Sequence, residues 1–282
     1  MGLRIMTLAG ASALLLASAG AFAAAQHGGA HHATPAGHAL HQAVAGTHRS
    51  AANRARDAHR HPVETLTFFG IEPDDTVVEL WPGGLWYTEI LAPYLADKGR
   101  LIAAAPAGRG TEGLAKRLDA DPALYGKVER ANFPTLLGGT GVAPGSVDAV
   151  LTFRNVHNWR MGYMQPEKSD YSAAAFKEIF AMLKPGGVLG IVDHRLPESA
   201  DAERERSSGY IKTSTIRQLA EAAGFRFAGA SEINANPKDS ADWPKGVWTL
   251  PPNYAEGDTD RAKYEAIGES DRMTLKFVKP GG

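Results

Sequence analysis

The chain contains no cysteine among its 282 residues. That excludes disulfides, thiolate zinc sites and cysteine nucleophiles together, and it suits a chain exported to an oxidising compartment. Charge of either sign is not in excess, because the formal net charge is -1. Such a balance offers no global basic surface for nucleic acid and no acidic bias towards disorder. No basic stripe with interleaved aromatics is present, so no nucleic-acid partner is expected. Small molecules are the default partners. The oligomeric state is not readable from the sequence.

Long hydrophobic runs are also lacking. The longest, Ala9 to Phe22, is too short for a comfortable membrane span. It follows Arg4 and precedes the small-x-small patterns Ala21-Phe22-Ala23 and Ala23-Ala24-Ala25. This three-part arrangement is that of a secretory signal peptide over residues 1–25. It predicts a periplasmic or secreted protein with no stable membrane insertion after cleavage. Residues 26–50 are rich in His, Ala and Gly without hydrophobic periodicity, and are expected to form a disordered linker. The histidines of residues 26–62 have irregular spacings and lack carboxylate partners before Asp57, so no specific metal site is expected. Arg54, Arg56, Arg60 and His61 form a small basic cluster that reads as a solvated helix face.

What is present is an alternation of strands and helices. A helix is predicted from Ser50 to Phe69, ending at Gly70. Strands follow at Thr76 to Leu80, Arg100 to Ala104, Val128 to Ala131, Val147 to Phe153, Val188 to Val192, Phe225 to Ile233 and Met273 to Val278. Helices are predicted between them at Trp86 to Ala96, with a kink at Pro93, and at Gly113 to Ala120, Tyr171 to Leu183 and Thr213 to Ala223. Val147 to Phe153 is a near-continuous apolar run, as expected of a strand buried on both faces. The pattern is that of an α/β domain over residues 51–282, with a mostly parallel sheet and helices on both faces. Residues 234–270, rich in Pro, Trp and Asp, read as a long insertion before the last strand, with a helix at Asp258 to Ile267.

In open parallel sheets, ligands bind beyond the carboxyl ends of the strands, where strand order reverses. The first strand runs into Trp81-Pro82-Gly83-Gly84-Leu85-Trp86, and a helix follows. Glycines there let a ligand approach the backbone, and a helix N-terminus offers free N–H groups. Glu79, one residue before the strand's end, would anchor the turn or meet a cationic ligand. The same residues would serve equally as a structural tight turn. A second constellation, Arg154-Asn155-Val156-His157-Asn158-Trp159, follows the fourth strand. His157 is a general-base candidate, since imidazole titrates near neutral pH. Alternatively, Asn155 and Asn158 cap the next turn and His157 is structural. Asp193-His194-Arg195, after the fifth strand, would either complete the pocket, with Asp193 orienting a histidine, or form a salt-bridged strand end. Tyr210 and Lys212 are further candidates for the cleft.

Val77-Val78-Glu79-Leu80-Trp81-Pro82-Gly83-Gly84 resembles motif I of class I S-adenosylmethionine-dependent methyltransferases. Glu79 to Leu95 and Leu151 to Trp159 more narrowly resemble a group of exported bacterial predicted methyltransferases. Leu183-Lys184-Pro185-Gly186-Gly187-Val188-Leu189 is similar to the turn before the fifth strand in class I enzymes. The resemblance spans about residues 55–280. It implies a Rossmann-like, doubly wound, seven-stranded sheet. It also implies S-adenosylmethionine as cofactor, held by Glu79, Trp81, Pro82, Gly83, Gly84, Trp86, Arg154 and Asn155. A small-molecule acceptor would be served by His157, Asn155 and Asp193. Two departures stand out. The Gly-x-Gly-x-Gly turn has become Pro82-Gly83-Gly84-Leu85, and the second strand runs into Ala103-Ala104-Ala105-Pro106-Ala107-Gly108 without the usual ribose-binding acid. The competing reading is an exported, non-catalytic binding protein that retains the fold.

Overall fold

A computed structural model describes residues 1–2 and 34–281. The expected signal segment and the first part of the His-rich stretch fall almost wholly outside the described residues. Among the described residues, no helix is long and apolar enough to cross a membrane.

Apolar strands buried at nearly every position build the centre of the sheet. The strands are β1 Thr76–Leu80, β2 Arg100–Ala105, β3 Glu129–Asn132, β4 Val147–Phe153, β5 Leu183–Leu196, β6 Ile211–Lys212, β7 Arg226–Ser231 and β8 Arg272–Val278. Seven lie in the order β3-β2-β1-β4-β5-β8-β7, and β6 pairs with the end of β5. The pairs from β3 to β5 are parallel, whereas β8 runs antiparallel to both β5 and β7. Successive side chains point to opposite faces. Val77, Ala149 and Leu151 therefore enter one core layer, and Val78 and Val150 the other. Strand order reverses between β1 and β4, the place where such sheets bind ligands. The expected doubly wound, mostly parallel α/β architecture is thus observed.

One layer holds the N-terminal helices with α5 Thr88–Leu95 and α6 Arg109–Asp119. The other holds α8 Val156–Arg160, α9 Ser172–Met182 and α10 Thr213–Ala222. The short helix α7 Pro122–Tyr125 precedes β3, and α11 Arg261–Ile267 lies in the insertion before β8.

The N-terminal part departs from expectation. Instead of an unstructured linker up to residue 50, α1 spans Pro35–Ala45. Thr34 caps it by accepting from the Gly37 N–H at 3.1 Å, and Leu40 and Ala43 are buried. The abundant His and Gly of this stretch hide a short apolar stripe that packs on the core. The single helix expected over Ser50 to Phe69 is three helices: α2 Ala51–Ala55, α3 Asp57–Arg60 and α4 Pro62–Phe69. The break lies at His61, whose φ is +40°. Pro62 is the cause. The residue before a proline is disfavoured in the helical region, while proline itself suits the first position of a new helix.

Helix α5 begins at Thr88, two residues later than predicted, and it accommodates Pro93 internally. Proline lacks the N–H that would bond the carbonyl four residues earlier. That carbonyl belongs to Glu89, and the His48 Nε2–H donates to it at 2.8 Å. The region before α2 thus repairs a defect in the helix that follows the Gly-rich turn.

Leu40→Ala is expected to lower stability by about 2–5 kcal/mol through lost burial and cavity formation. Urea unfolding checks this; an unchanged midpoint would mean that α1 does not pack on the core.

Candidate active site

The turn after β1 is held in an unusual backbone conformation. Trp81, Gly83 and Leu85 all have positive φ, at +50°, +56° and +65°. The Trp81 N–H donates to the Ala104 carbonyl at 2.7 Å, and the Leu85 N–H to the Pro82 carbonyl at 2.9 Å. Gly83 is needed for its left-handed φ. Gly84 is not in that region, and a Cβ there would meet nothing within 4 Å. Its lack of a side chain leaves open space over the backbone. Indole N–H groups brace the turn on both sides. Trp81 donates to the Phe133 carbonyl at 2.8 Å, and Trp86 to the Asn53 carbonyl at 3.0 Å.

Glu79 lies beneath this turn and is 2% exposed. The Thr88 hydroxyl donates to its Oε2 at 2.6 Å. Burial pushes its carboxyl up to about 7, against the lowering effect of the Thr88 bond. The group is therefore poised between acid and carboxylate near neutral pH.

Across the cavity stand the residues after β4 and β5. The His157 ring bonds Asp193 Oδ1 through Nδ1 at 2.6 Å, and its backbone N–H donates to Asp193 Oδ2 at 3.2 Å. A carboxylate accepts, so the His157 Nδ1–H is the donor in this pair. The His194 backbone N–H also donates to Asp193 Oδ1, at 2.8 Å. The His194 ring pairs through Nδ1 with the Ser270 hydroxyl at 2.5 Å. Burial, reinforced by His157, Arg154 and Arg272, holds the His194 imidazole well below its ordinary value, so this ring is neutral. Donor atoms of His157, Asp193 and His194 lie within 4.8 Å of one another, close enough to hold a metal ion. This is the one such group among the described residues, and it lies away from the His-rich segment.

A cavity of about 290 Å³ joins both sides. Glu79, Trp81, Pro82, Gly83, Gly84, Trp86, Arg154, Asn155 and His157 all line it. Asp193 does not line it but bonds the His157 ring. Asn155 has a more structural role than expected. Its Nδ2 donates to the Leu80 carbonyl at 2.9 Å and to the Thr152 hydroxyl at 3.2 Å. It thereby ties the ends of β1 and β4 where strand order reverses. Arg195 is paired with Asp271 and Glu232, and Tyr210 is bonded to Asp239; neither lines the cavity, nor does Lys212.

Several lining residues escaped the sequence reading. Arg56 and Arg60, expected on a solvated face, turn inward to Glu269 at 2.8 and 3.0 Å. The insertion before β8 covers the cavity with Val247, Trp248, Pro251, Pro252 and Asn253, and adds Glu269 and Ser270. These partners lie some 209 to 213 positions apart, a separation that no local pattern reveals.

No protein-family model matches the chain, and comparison with curated proteins gives no match. Solved structures do match. A S-adenosylmethionine-dependent methyltransferase from Aquifex aeolicus aligns with a TM-score of 0.52 at 16% identity, over 80% of this chain and 93% of its own. The 4+2 cyclase SpnF aligns at 0.54 and 15% identity, over 86% and 92%. The CurJ carbon methyltransferase aligns at 0.50 and 11% identity, over 86% and 58%. One architecture is thus found in proteins named for different reactions, so function must be argued from the site.

The elevated Glu79 carboxyl has a consequence for stability. Its folded value, about 7, lies above the ordinary 4.5. Its contribution is therefore fully present below about 4.5 and is lost as pH rises through 7. Glu79→Gln should remove this dependence and make the protein more stable than wild type at pH 8, by up to about 3 kcal/mol. Urea unfolding at pH 5 and pH 8 checks it; parallel behaviour of the two proteins would contradict it. With the strand order, the glycine turn after β1 and the aligned structures all in agreement, the chain has the class I methyltransferase fold, Rossmann-like and doubly wound.

Proposed function

We propose that this protein is a S-adenosylmethionine-dependent methyltransferase acting on a small-molecule acceptor. One observation carries the reading: a buried acid beneath an open glycine turn faces a carboxylate-oriented histidine across one cavity, at the reversal of strand order. The residues present fit the amino-acid end of the cofactor. Glu79 supplies negative charge for a cationic group, and the open space over Gly84 admits a ligand against the backbone. Trp81 and Trp86 wall that end. At the ribose end, β2 finishes in Ala103-Ala104-Ala105 and offers no acid, so the sugar must be held by other groups.

When bound, S-adenosylmethionine supplies an electrophilic methyl group. The protein's own part is alignment and proton handling. Methyl transfer is a displacement at carbon, for which holding two reactants in line is the main source of acceleration. His157 Nε2 takes the acceptor's proton as the acceptor becomes nucleophilic. Asp193 fixes the tautomer that makes this possible and stabilises the imidazolium that results. The insertion over the cavity limits access of water. Export of the mature protein, expected from residues 1–25, belongs to the same proposal.

Calorimetric titration tests it. Wild type is expected to bind S-adenosylmethionine in the micromolar range. Gly84→Val should fold normally, because its φ is ordinary and its space is open, yet bind on the order of tenfold more weakly or worse. Affinity should also fall as pH drops below about 7, where Glu79 takes up its proton. A flat titration with folded wild-type protein, or affinity unaffected by Gly84→Val, would overturn the proposal.

A further inference from the structure

The cavity contains more positive charge than the protein neutralises. Glu269 is the anion at its floor. It accepts from Arg56 Nε at 2.8 Å, Arg60 Nε at 3.0 Å and Arg272 Nη1 at 2.9 Å. Two carboxylate oxygens thus serve three guanidinium groups. A fourth, Arg154, has no side-chain hydrogen bond or ion pair among the described residues. Asp193, which acts on Arg154 through charge alone, gives its hydrogen bonds to the His157 ring and backbone and the His194 backbone.

The donors are correspondingly incomplete. Arg56 Nη2, Arg60 Nη2 and Arg272 Nε are buried with no hydrogen-bond partner. The Arg60 side chain is 3% exposed, and its guanidinium stacks 4.8 Å over the Trp86 ring, so its position is fixed. Buried polar groups in folded proteins are hydrogen-bonded as a rule, and unsatisfied ones call for a partner. Arg56, Arg60 and Arg154 all line the cavity. Mutual repulsion adds to burial there: the Arg154 guanidinium is pushed down to about 10, and that of Arg60 to about 9.

The cluster adjoins the base side of the cavity. Glu269 directly precedes Ser270, which bonds the His194 ring, and Arg272 is the register partner of His194 on β8. Glu79 stands at the turn side of the same cavity, where it suits a cationic group rather than an anion. We infer that the acceptor is an anion, a carboxylate or phosphate bearer whose charged group seats among Arg56, Arg60 and Arg154 with its nucleophilic atom towards His157. This rests on the methyltransferase reading for the word acceptor, although the anion seat itself does not.

Arginine favours such groups because its planar fork donates two parallel bonds to a carboxylate or phosphate. The alternative source of the anion is the carboxylate of the cofactor, and the two make different predictions. Inorganic phosphate is the probe for the seat. Thermal melting of the full chain in phosphate and in chloride at equal ionic strength should give a midpoint a few degrees higher in phosphate. Arg154→Gln and Arg56→Gln, verified as folded by circular dichroism, should each lose that difference. Equal melting of wild type in both salts, or a phosphate response retained by both variants, overturns the inference.

A second arm separates the two sources. Saturation with S-adenosylmethionine should leave the phosphate response in place, and Arg56→Gln should bind the cofactor within about twofold of wild type. Decarboxylated S-adenosylmethionine should bind as well as the intact cofactor. Loss of the phosphate response on cofactor binding, with decarboxylated cofactor bound about tenfold or more weakly, would assign the arginines to the cofactor and refute the acceptor seat. A phosphate response without any cofactor binding would instead leave the anion seat standing and remove the methyltransferase reading.

Discussion

The buried carboxylate of Glu269 joins parts of the chain that local structure would leave apart. Arg56 and Arg60 come from the N-terminal helices, Arg272 from the start of β8, and Glu269 from the end of the long insertion. Burial alone would raise its carboxyl. Arg272, Arg60, Arg56 and Arg154 outweigh that effect and hold it well below the carboxylate range. Removing such an anion would strand several buried cations, which is far costlier than replacing the whole network by apolar groups. The network therefore serves position more than stability. It presses the N-terminal helices against Trp86 and makes them a wall of the cavity.

Two carboxyls in one cavity are thus driven in opposite directions. Glu269, surrounded by arginines, stays ionised. Glu79, dry and opposed by one hydroxyl bond, titrates near neutral pH. Separation of this kind is how neighbouring acids acquire different tasks. Glu269 organises charge on the side of the cavity where His157, Asp193 and His194 lie. Glu79 lies beneath the glycine turn, where the proposed cofactor would present its cationic group. Asn155 keeps the two sides in register by bonding the end of β1 from the end of β4.

Much of this was legible in the sequence wherever the signal was local. β4 was read to the residue, because a strand buried on both faces is apolar at nearly every position. Gly83 and Gly84 marked the turn, and the Arg154 to Trp159 loop marked the opposite wall. His157 and Asp193 were each singled out, and the structure joins them at 2.6 Å. What stayed hidden depends on distant partners. Nothing near Arg60 announces Glu269, so a basic cluster looked like a solvated face. α1 was obscured by the His and Gly around Leu40. The break at His61 has a local cause in Pro62, which a helix predicted over Ser50 to Phe69 leaves out of account. Asn155 looked like a catalytic amide because composition cannot say which way an amide points.

The central claim is that S-adenosylmethionine binds at the turn after β1. The protein has five tryptophans; Trp81, Trp86 and Trp248 line the cavity, whereas Trp159 and Trp243 do not. Their indole N–H signals can be followed by nitrogen-15 NMR while the cofactor is added, with each assigned by substitution. The account predicts saturable shifts for Trp81 and Trp86 and little change for Trp243. Indole signals that stay in place at saturating cofactor, or a response confined to Trp243, would contradict it.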